Sequence, residues 1–310
     1  MRFLAAYVLK GRMPAVLVTA VMAILALLLP PLSYLSGASV ALVTLHLGAQ
    51  AGLQLSLLAA LAVTVLMVVL QLPPQLGGVF LLVLWLPVWV LAINLRRTAS
   101  PARSILLAMV FGGMLLLGLY LVNDNPAQWW LELLQQLLAP MLQQIPEAEL
   151  PQIEANLVEL AAQMNGVTAA AMVASLLGCL FLGRWWQAVQ FNPGGFGDEF
   201  RRLRLGRVLG TAVLLLVALN LLWQLGQGGA SGLLRDLVAL AQVGFALQGL
   251  AVAHYVVRCN RGHKAWLIVT YLLLLLFTGP TVLLLAIVGV LDNWFDFRSK
   301  FGYGKPCDIE

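Results

Sequence analysis

Charge is what this sequence has least of. From Met13 to Leu95, eighty-three residues pass without an Asp, Glu, Lys or Arg, and the first acidic side chain is Asp124. A soluble domain of that length needs a charged outer surface, whereas a charge at a bilayer centre costs a few kcal/mol or more, so the run excludes water as the surrounding solvent and indicates lipid. A hydrocarbon core of ~30 Å takes ~20 apolar residues per helical crossing, so the run holds several spans separated by short turns. Only 10% of the 310 residues are charged, against ~25% in soluble domains, and 61% are hydrophobic. The expected fold is an all-α, polytopic transmembrane helix bundle. Cysteine is also scarce. Cys179 in an apolar segment, Cys259 in a basic loop and Cys307 in the tail have neither metal-ligand spacing nor even pairing, and imply no disulfide or metal.

The chain also lacks the signatures of soluble enzymes. It has no HExxH, no Asp-rich metal pair within a span and no Gly-rich phosphate loop opening a helix in a soluble domain. No catalytic residue, metal or cofactor is therefore expected. The net charge of +5 comes from short basic clusters between hydrophobic segments, which act as topology signals and do not form a nucleic-acid surface. Arg2, Lys10 and Arg12 precede the first segment as in a signal peptide, with Ser36-Gly37-Ala38 resembling a cleavage site, but the spans that follow favour an uncleaved first helix.

What is present is apolar periodicity. Residues 1 to 13 alternate Phe3, Leu4, Tyr7 and Val8 with the three basic residues, which suits a short interfacial helix. About nine spans follow, at 14–29, 34–49, 53–70, 76–95, 104–122, 167–190, 208–225, 237–257 and 265–291, with Pro30-Pro31 and Pro73-Pro74 marking two turns. The domain reading is an N-terminal five-span half (1–122), an insertion (123–165), a C-terminal four-span half (166–291) and a tail (292–310). The last span would be ~40 Å long and carries Thr278-Gly279-Pro280-Thr281 at its middle. It is either one kinked span or a re-entrant hairpin, and the single span is favoured because re-entrant backbone must be shielded by protein.

Counting spans in order places the arginine clusters Arg2 to Arg12, Arg96 to Arg103, Arg184 to Arg207 and Arg258 to Lys264 on one side. By the positive-inside rule that side is cytoplasmic, which puts the N-terminus inside a bacterial inner membrane. The other side carries only Arg235 together with Asp124, Glu132, Glu147, Glu149, Glu154 and Glu159. There, Trp129, Trp130, Leu133, Leu134, Leu137, Leu138, Met141, Leu142 and Ile145 form one apolar face, and Ile153, Leu157, Leu160, Ala161 and Met164 a second. The insertion reads as an extracytoplasmic amphipathic helical hairpin, either resting on the outer leaflet or serving as a lid or docking surface.

Polar side chains within spans are few, and each needs a partner, a water or a ligand. His46, Gln50 and Gln54 form one neighbourhood, and Gln242, Gln248 and His254 are further candidates for a ligand-binding cavity. Gly48, Gly52, Ser56, Ala60 and Thr64, and again Gly166, Ala170, Ala174 and Gly178, form small-residue stripes suited to close helix packing. Arg184 beside Trp185 and Trp186 suits a snorkelling anchor in an aromatic belt. Asn192-Pro193-Gly194-Gly195 suits a turn, and Asp292, Asp296 and Arg298 could close a helix end as an ion pair.

Several of these stretches together resemble the gammaproteobacterial branch of the YybS-like family of bacterial membrane proteins. They are Gly183-Arg184-Trp185-Trp186-Gln187-Ala188, Asn192-Pro193-Gly194-Gly195-Phe196, Glu199-Phe200-Arg201, Leu203-Arg204-Leu205, Gly249-Leu250-Ala251 with His254, and Gly289 through Asp292 to Phe295-Asp296-Phe297-Arg298. The layout matches over most of the chain, and the specific motifs lie within about 183 to 298. The resemblance implies a remote relation to the substrate-binding subunits of energy-coupling-factor vitamin transporters. Those subunits have six helices and an Ala-x-x-x-Ala motif in the first, a spacing that Ala15, Ala20, Ala23 and Ala26 do not reproduce.

The expectation is a non-enzymatic membrane protein that binds a small molecule, in the manner of a transporter substrate subunit. The alternative is a membrane scaffold that engages a protein partner through the acidic hairpin and the arginine loop 201–207. A membrane enzyme using Asp292 and Arg298 on a lipid-linked substrate is the third reading. The expected partners are the lipid bilayer, a small-molecule ligand and a membrane protein, with no nucleic acid.

Overall fold

The computed structural model describes residues 2–144, 146, 149–227, 232–259 and 265–301, and every regular element among them is helical. In chain order these are α1 (Arg2–Val8), α2 (Arg12–Leu25), α3 (Leu32–Leu47), α4 (Ala49–Val69), α5 (Leu76–Thr98), α6 (Pro101–Val122), α7 (Pro126–Leu142), α8 (Leu150–Phe191), α9 (Gly195–Arg201), α10 (Arg207–Gln227), α11 (Gly232–Cys259), α12 (Ala265–Leu276), α13 (Thr278–Phe295) and α14 (Phe297–Phe301). Ile145, Glu147, Arg261, Lys264 and the tail beyond Phe301, with Lys305 and Cys307, lie outside the described residues. Seven helices, α4 to α6, α8, α10, α11 and α13, have the length and composition to cross a membrane. The all-helical membrane bundle stands.

The span count changes in detail. The nine expected spans correspond to ten apolar helices among the described residues, and α2, α3 and α12, at 14, 16 and 12 residues, are shorter than a ~20-residue crossing. The segment 265–291 is not one continuous helix, because it divides at Phe277 (φ −132°, ψ 58°). Pro280 in the first turn of α13 has no N–H to continue the ladder, and the single Thr281 hydroxyl proton is shared across the break between the carbonyls of Phe277 (2.7 Å) and Leu273 (3.1 Å). The second helix of the acidic insertion also does not stop at residue 165. No proline interrupts the chain between Pro151 and Pro193, and α8 runs on for 42 residues, ~63 Å at ~1.5 Å per residue. Polarity changes along α8 while its backbone ladder continues. Cys179 is a buried free thiol, and Cys259 is disulfide-bonded, which corrects the expectation of no disulfide. Pairing depends on distance between Cβ atoms, which spacing in sequence does not report.

The chain forms two compact units, one of residues 1–108 with 174–204 and the other of 109–173 with 205–310. In the first, α3 is central, and every residue from Ser36 to Leu45 is buried. A helix apolar and small on all sides is a core helix. One of its hydroxyls bridges neighbours: Ser36 Oγ donates to the Thr19 carbonyl of α2 (2.8 Å) and accepts from Trp85 Nε1 of α5 (3.0 Å). The Arg96 guanidinium of α5 donates to the carbonyls of Thr44 and Leu45 at 3.1 and 3.2 Å, setting a cation at the C-terminal end of α3, where the Thr44 carbonyl also accepts the Gly48 N–H. Small residues permit close approach, since a Cβ at Gly37 would strike Cys179 and one at Gly183 would strike Ala41.

In the second unit the closest pairing is α11 with α13. A Cβ at Gly249 would land on the Leu285 carbonyl, and one at Gly289 on the Phe245 carbonyl, so each helix presses backbone against backbone through a glycine. Overpacking of such a contact costs ~1–3 kcal/mol, while Gly113 in α6 has open space around its α-carbon and an Ala there gains helix propensity of ~0.5–1 kcal/mol. Gly249→Ala is therefore expected to lower the thermal midpoint of the detergent-solubilised protein, and Gly113→Ala to leave it equal or higher. Equal midpoints for the two variants would contradict the tight crossing.

Candidate functional site

The glycine crossing of the second unit places a buried polar centre beside it. Gln248 precedes Gly249 on α11, and Asp292 and Asn293 lie one turn beyond Gly289 on α13, so pressing the glycines together brings these side chains to one level. Gln248 and Asp292 are fully buried and Asn293 nearly so. The Gln248 amide nitrogen is 3.3 Å from both Asp292 Oδ2 and Asn293 Oδ1, and its oxygen accepts from the backbone N–H of Leu205 at 2.9 Å. Arg207, opening α10, donates Nε to the Asn293 carbonyl at 2.9 Å.

The chain reverses to complete the centre. Asp296 adopts the left-handed conformation (φ 44°) and caps α13, its N–H returning to the Asp292 carbonyl. The short α14 then carries Arg298, 6% exposed, back to Asp292, with Nη2 at 3.3 Å from Oδ2. Both polar donors thus meet one carboxylate oxygen. Asp292 Oδ1 has no hydrogen-bond partner among the described residues, although it is buried. Nearly all buried polar atoms in native proteins are satisfied, so an orphaned carboxylate oxygen beside a fully buried amide marks a place able to receive a donor group.

The sequence-derived residues are divided by the fold. His46, Gln50 and Gln54 belong to the first unit, and Gln242, Gln248 and His254 to the second. Gln248 joins the centre with Asp292 and Arg298. Gln242 is half-buried on α11, and His254 Nε2 lies 2.8 Å from the Tyr271 hydroxyl of α12. His46 is exposed and stacks on Phe191 at 4.3 Å and 8°. Gln50 is exposed, whereas Gln54 lines an apolar crevice of about 190 Å³ with Arg12, Val43 and Leu55.

The arginine motif has a structural use in the first unit. Arg184 does not simply snorkel, because it pairs with both carboxylate oxygens of Glu199 on α9 and reaches Gln187. Trp186 is 1% exposed in the core while Trp185 faces outward. Asn192 to Gly195 is a β-turn with Pro193 second and Gly194 third at φ 89°, closed by the Gly195 N–H on the Asn192 carbonyl at 3.0 Å. Arg96, Arg184, Gln187 and Glu199 border a crevice of about 140 Å³.

Sequence reasoning missed Asp236. It is buried, accepts the Tyr120 hydroxyl at 2.8 Å, and lies against Gly166 of α8, next to Asn165, which accepts the Trp130 indole N–H of α7 at 2.7 Å. The available signal was Arg235-Asp236, two adjacent charges near the start of an otherwise apolar helix, of which Arg235 alone was read, as a topology residue. A buried carboxylate announces itself through the helices around it, which spacing along one helix does not reveal.

Residues 17–293 match the model of the family described as predicted membrane protein (DUF2232), and the chain belongs to that family. No curated protein and no solved structure matches it.

Removing one partner from a buried ion pair leaves an uncompensated charge, at a cost of ~3–5 kcal/mol, whereas removing both spares much of that cost. Asp292→Ala and Arg298→Ala are each expected to destabilise the protein strongly, and the double variant to be less destabilised than the two losses added. Additive losses in denaturant unfolding of the detergent-solubilised protein would show the pair to be uncoupled.

Proposed function

On the premise of that membership, we propose that the protein is a multi-pass component of a bacterial inner membrane, with its N-terminus in the cytoplasm. It binds a small molecule in connection with transport, and the Gln248–Asp292 centre is the point of recognition. The observation that carries this reading is the Asp292 carboxylate, fully buried with only one oxygen engaged. An amine, amide or hydroxyl group of a ligand would satisfy the second oxygen, and the Gln248 amide, engaged with Asp292, Asn293 and the Leu205 N–H, holds the carboxylate in place. Ionisable side chains within membrane segments commonly mark substrate or ion pathways. The arginine distribution supports the orientation. The likeness of residues 183 to 298 to YybS-like proteins, and through them to energy-coupling-factor substrate subunits, supports a binding role over a catalytic one.

A second reading rests on α7. Its Trp129, Leu137 and Met141 are 42%, 68% and 64% exposed on an acidic insertion, a surface that suits either the lipid interface or a membrane protein partner in a scaffold role. Specific crosslinking of one protein to α7 in cells, combined with no ligand binding, would favour that reading.

A ligand present at about a hundred times its Kd stabilises the folded state by roughly 2.7 kcal/mol. The purified protein, screened against vitamins and small metabolites, is therefore expected to show a raised thermal midpoint with at least one compound, and the Asp292→Asn variant to lose that shift. A protein that retains no small molecule on purification and responds to none in the screen would overturn the binding reading.

A further inference from the structure

A second buried carboxylate lies toward the start of α11, apart from the Gln248–Asp292 centre. Asp236 is 1% exposed and its Oδ2 accepts the Tyr120 hydroxyl of α6. Its Oδ1 makes no hydrogen bond among the described residues, and the Arg235 Nε stands 4.0 Å away. That guanidinium is directed elsewhere, because its Nη2 donates to the Ala162 carbonyl of α8. Gly166 of α8 lies flat against the carboxylate, where a Cβ would come within 2.8 Å of Oδ1. Beside it, Asn165 holds the Trp130 indole of α7.

Three helices therefore meet at this carboxylate, and the groups they bring against it are largely neutral. Its own helix brings one cation, Arg235; α6 brings a titratable phenol, Tyr120; and α8 brings the backbone of Gly166, next to the Asn165 amide that is tied to α7. Asp292 differs, with a guanidinium and an amide both at 3.3 Å from one oxygen. At Asp236 the close partner is a neutral hydroxyl and the cation lies beyond hydrogen-bond reach. A carboxylate out of water without close pairing gains by accepting a proton. The site keeps a hydrogen bond in either state, because the phenol donates to Oδ2 whether the group is a carboxylate or an acid protonated on Oδ1. Access exists as well: Tyr120 is half-buried, and the Arg235 side chain is 31% exposed.

We propose that Asp236 is a proton-binding site. It takes up one proton from the adjoining aqueous phase on Oδ1, converting the carboxylate to the neutral acid and removing the negative charge from the junction of α6, α8 and α11. The site stands whether or not the Asp292 centre binds a small molecule.

Hydrophobic carbodiimides add to protonated carboxyl groups in apolar surroundings, and dicyclohexylcarbodiimide applied to the full-length protein in membrane vesicles reads this site directly. The expected result is an adduct on the peptide bearing Asp236, its yield falling about tenfold per pH unit once the carboxylate predominates. The Asp236→Asn variant should give no adduct there. Tyr120→Phe should keep the adduct and move the pH at which its yield falls, which a merely structural tyrosine would not do. An Asp236 left unlabelled at every pH, or labelled equally at all of them, would overturn the proposal. Because the probe requires no ligand, this outcome is independent of the thermal-shift screen.

Discussion

The approach of α11 to α13 through Gly249 and Gly289 is the constraint on which the second unit depends. In lipid, apolar side chains gain little by leaving hydrocarbon for a protein interior, so helices are held by backbone proximity, dispersion and a few polar contacts. Glycine at both crossing points removes the atoms that would otherwise separate the axes. Once the backbones touch, the neighbouring positions are fixed, and Gln248 can reach Asp292 and Asn293 only because of that spacing. The left-handed turn at Asp296 extends the same logic, bringing Arg298 back to a charge that would be prohibitive alone.

The first unit is organised by a different economy. Its central helix α3 carries no charge, and its hydroxyls either return to their own helix, as Ser39 and Thr44 do, or bridge to a neighbour, as Ser36 does between α2 and α5. Charge enters at the helix end, where Arg96 meets the last-turn carbonyls of Thr44 and Leu45. Neutral hydrogen bonds hold the middle and ionic ones the rim, the order expected when the cost of desolvating a charge rises with depth.

Much of this was legible from residue types. The charge-free run identified the solvent, Pro30-Pro31 and Pro73-Pro74 do separate helices, and Asp292 with Arg298 does close a helix end. Gly183 and Gly178 also lie where neighbouring groups leave no room for a Cβ. What spacing could not supply was contact between segments distant in sequence. Gln248 and Asp292 are 44 positions apart, and Tyr120 and Asp236 are 116 apart, so neither pair has a periodic signature. The continuation of α8 past residue 165 was obscured for another reason: a shift from polar to apolar composition was read as a boundary, although only a breaker of the backbone ladder ends a helix.

The two buried carboxylates stand at separate levels along α11. The twelve residues from Asp236 to Gln248 span ~18 Å of helix, and the interval carries Leu240, Ala241, Gly244 and Phe245, all buried. An apolar layer therefore separates the two polar levels, and any hydrogen-bonded exchange between them would require that layer to open. Each level is bordered by its own set of helices: α6 and α8 around Asp236, and α13, α14 and the start of α10 around Gln248, with one oxygen of each carboxylate left without a hydrogen bond among the described residues. Of the helices named, α11 alone contributes to both levels. The glycine crossing sets α11 against α13 at the second level, where the space a Cβ would take at Gly249 is filled by the Leu285 carbonyl and that at Gly289 by the Phe245 carbonyl.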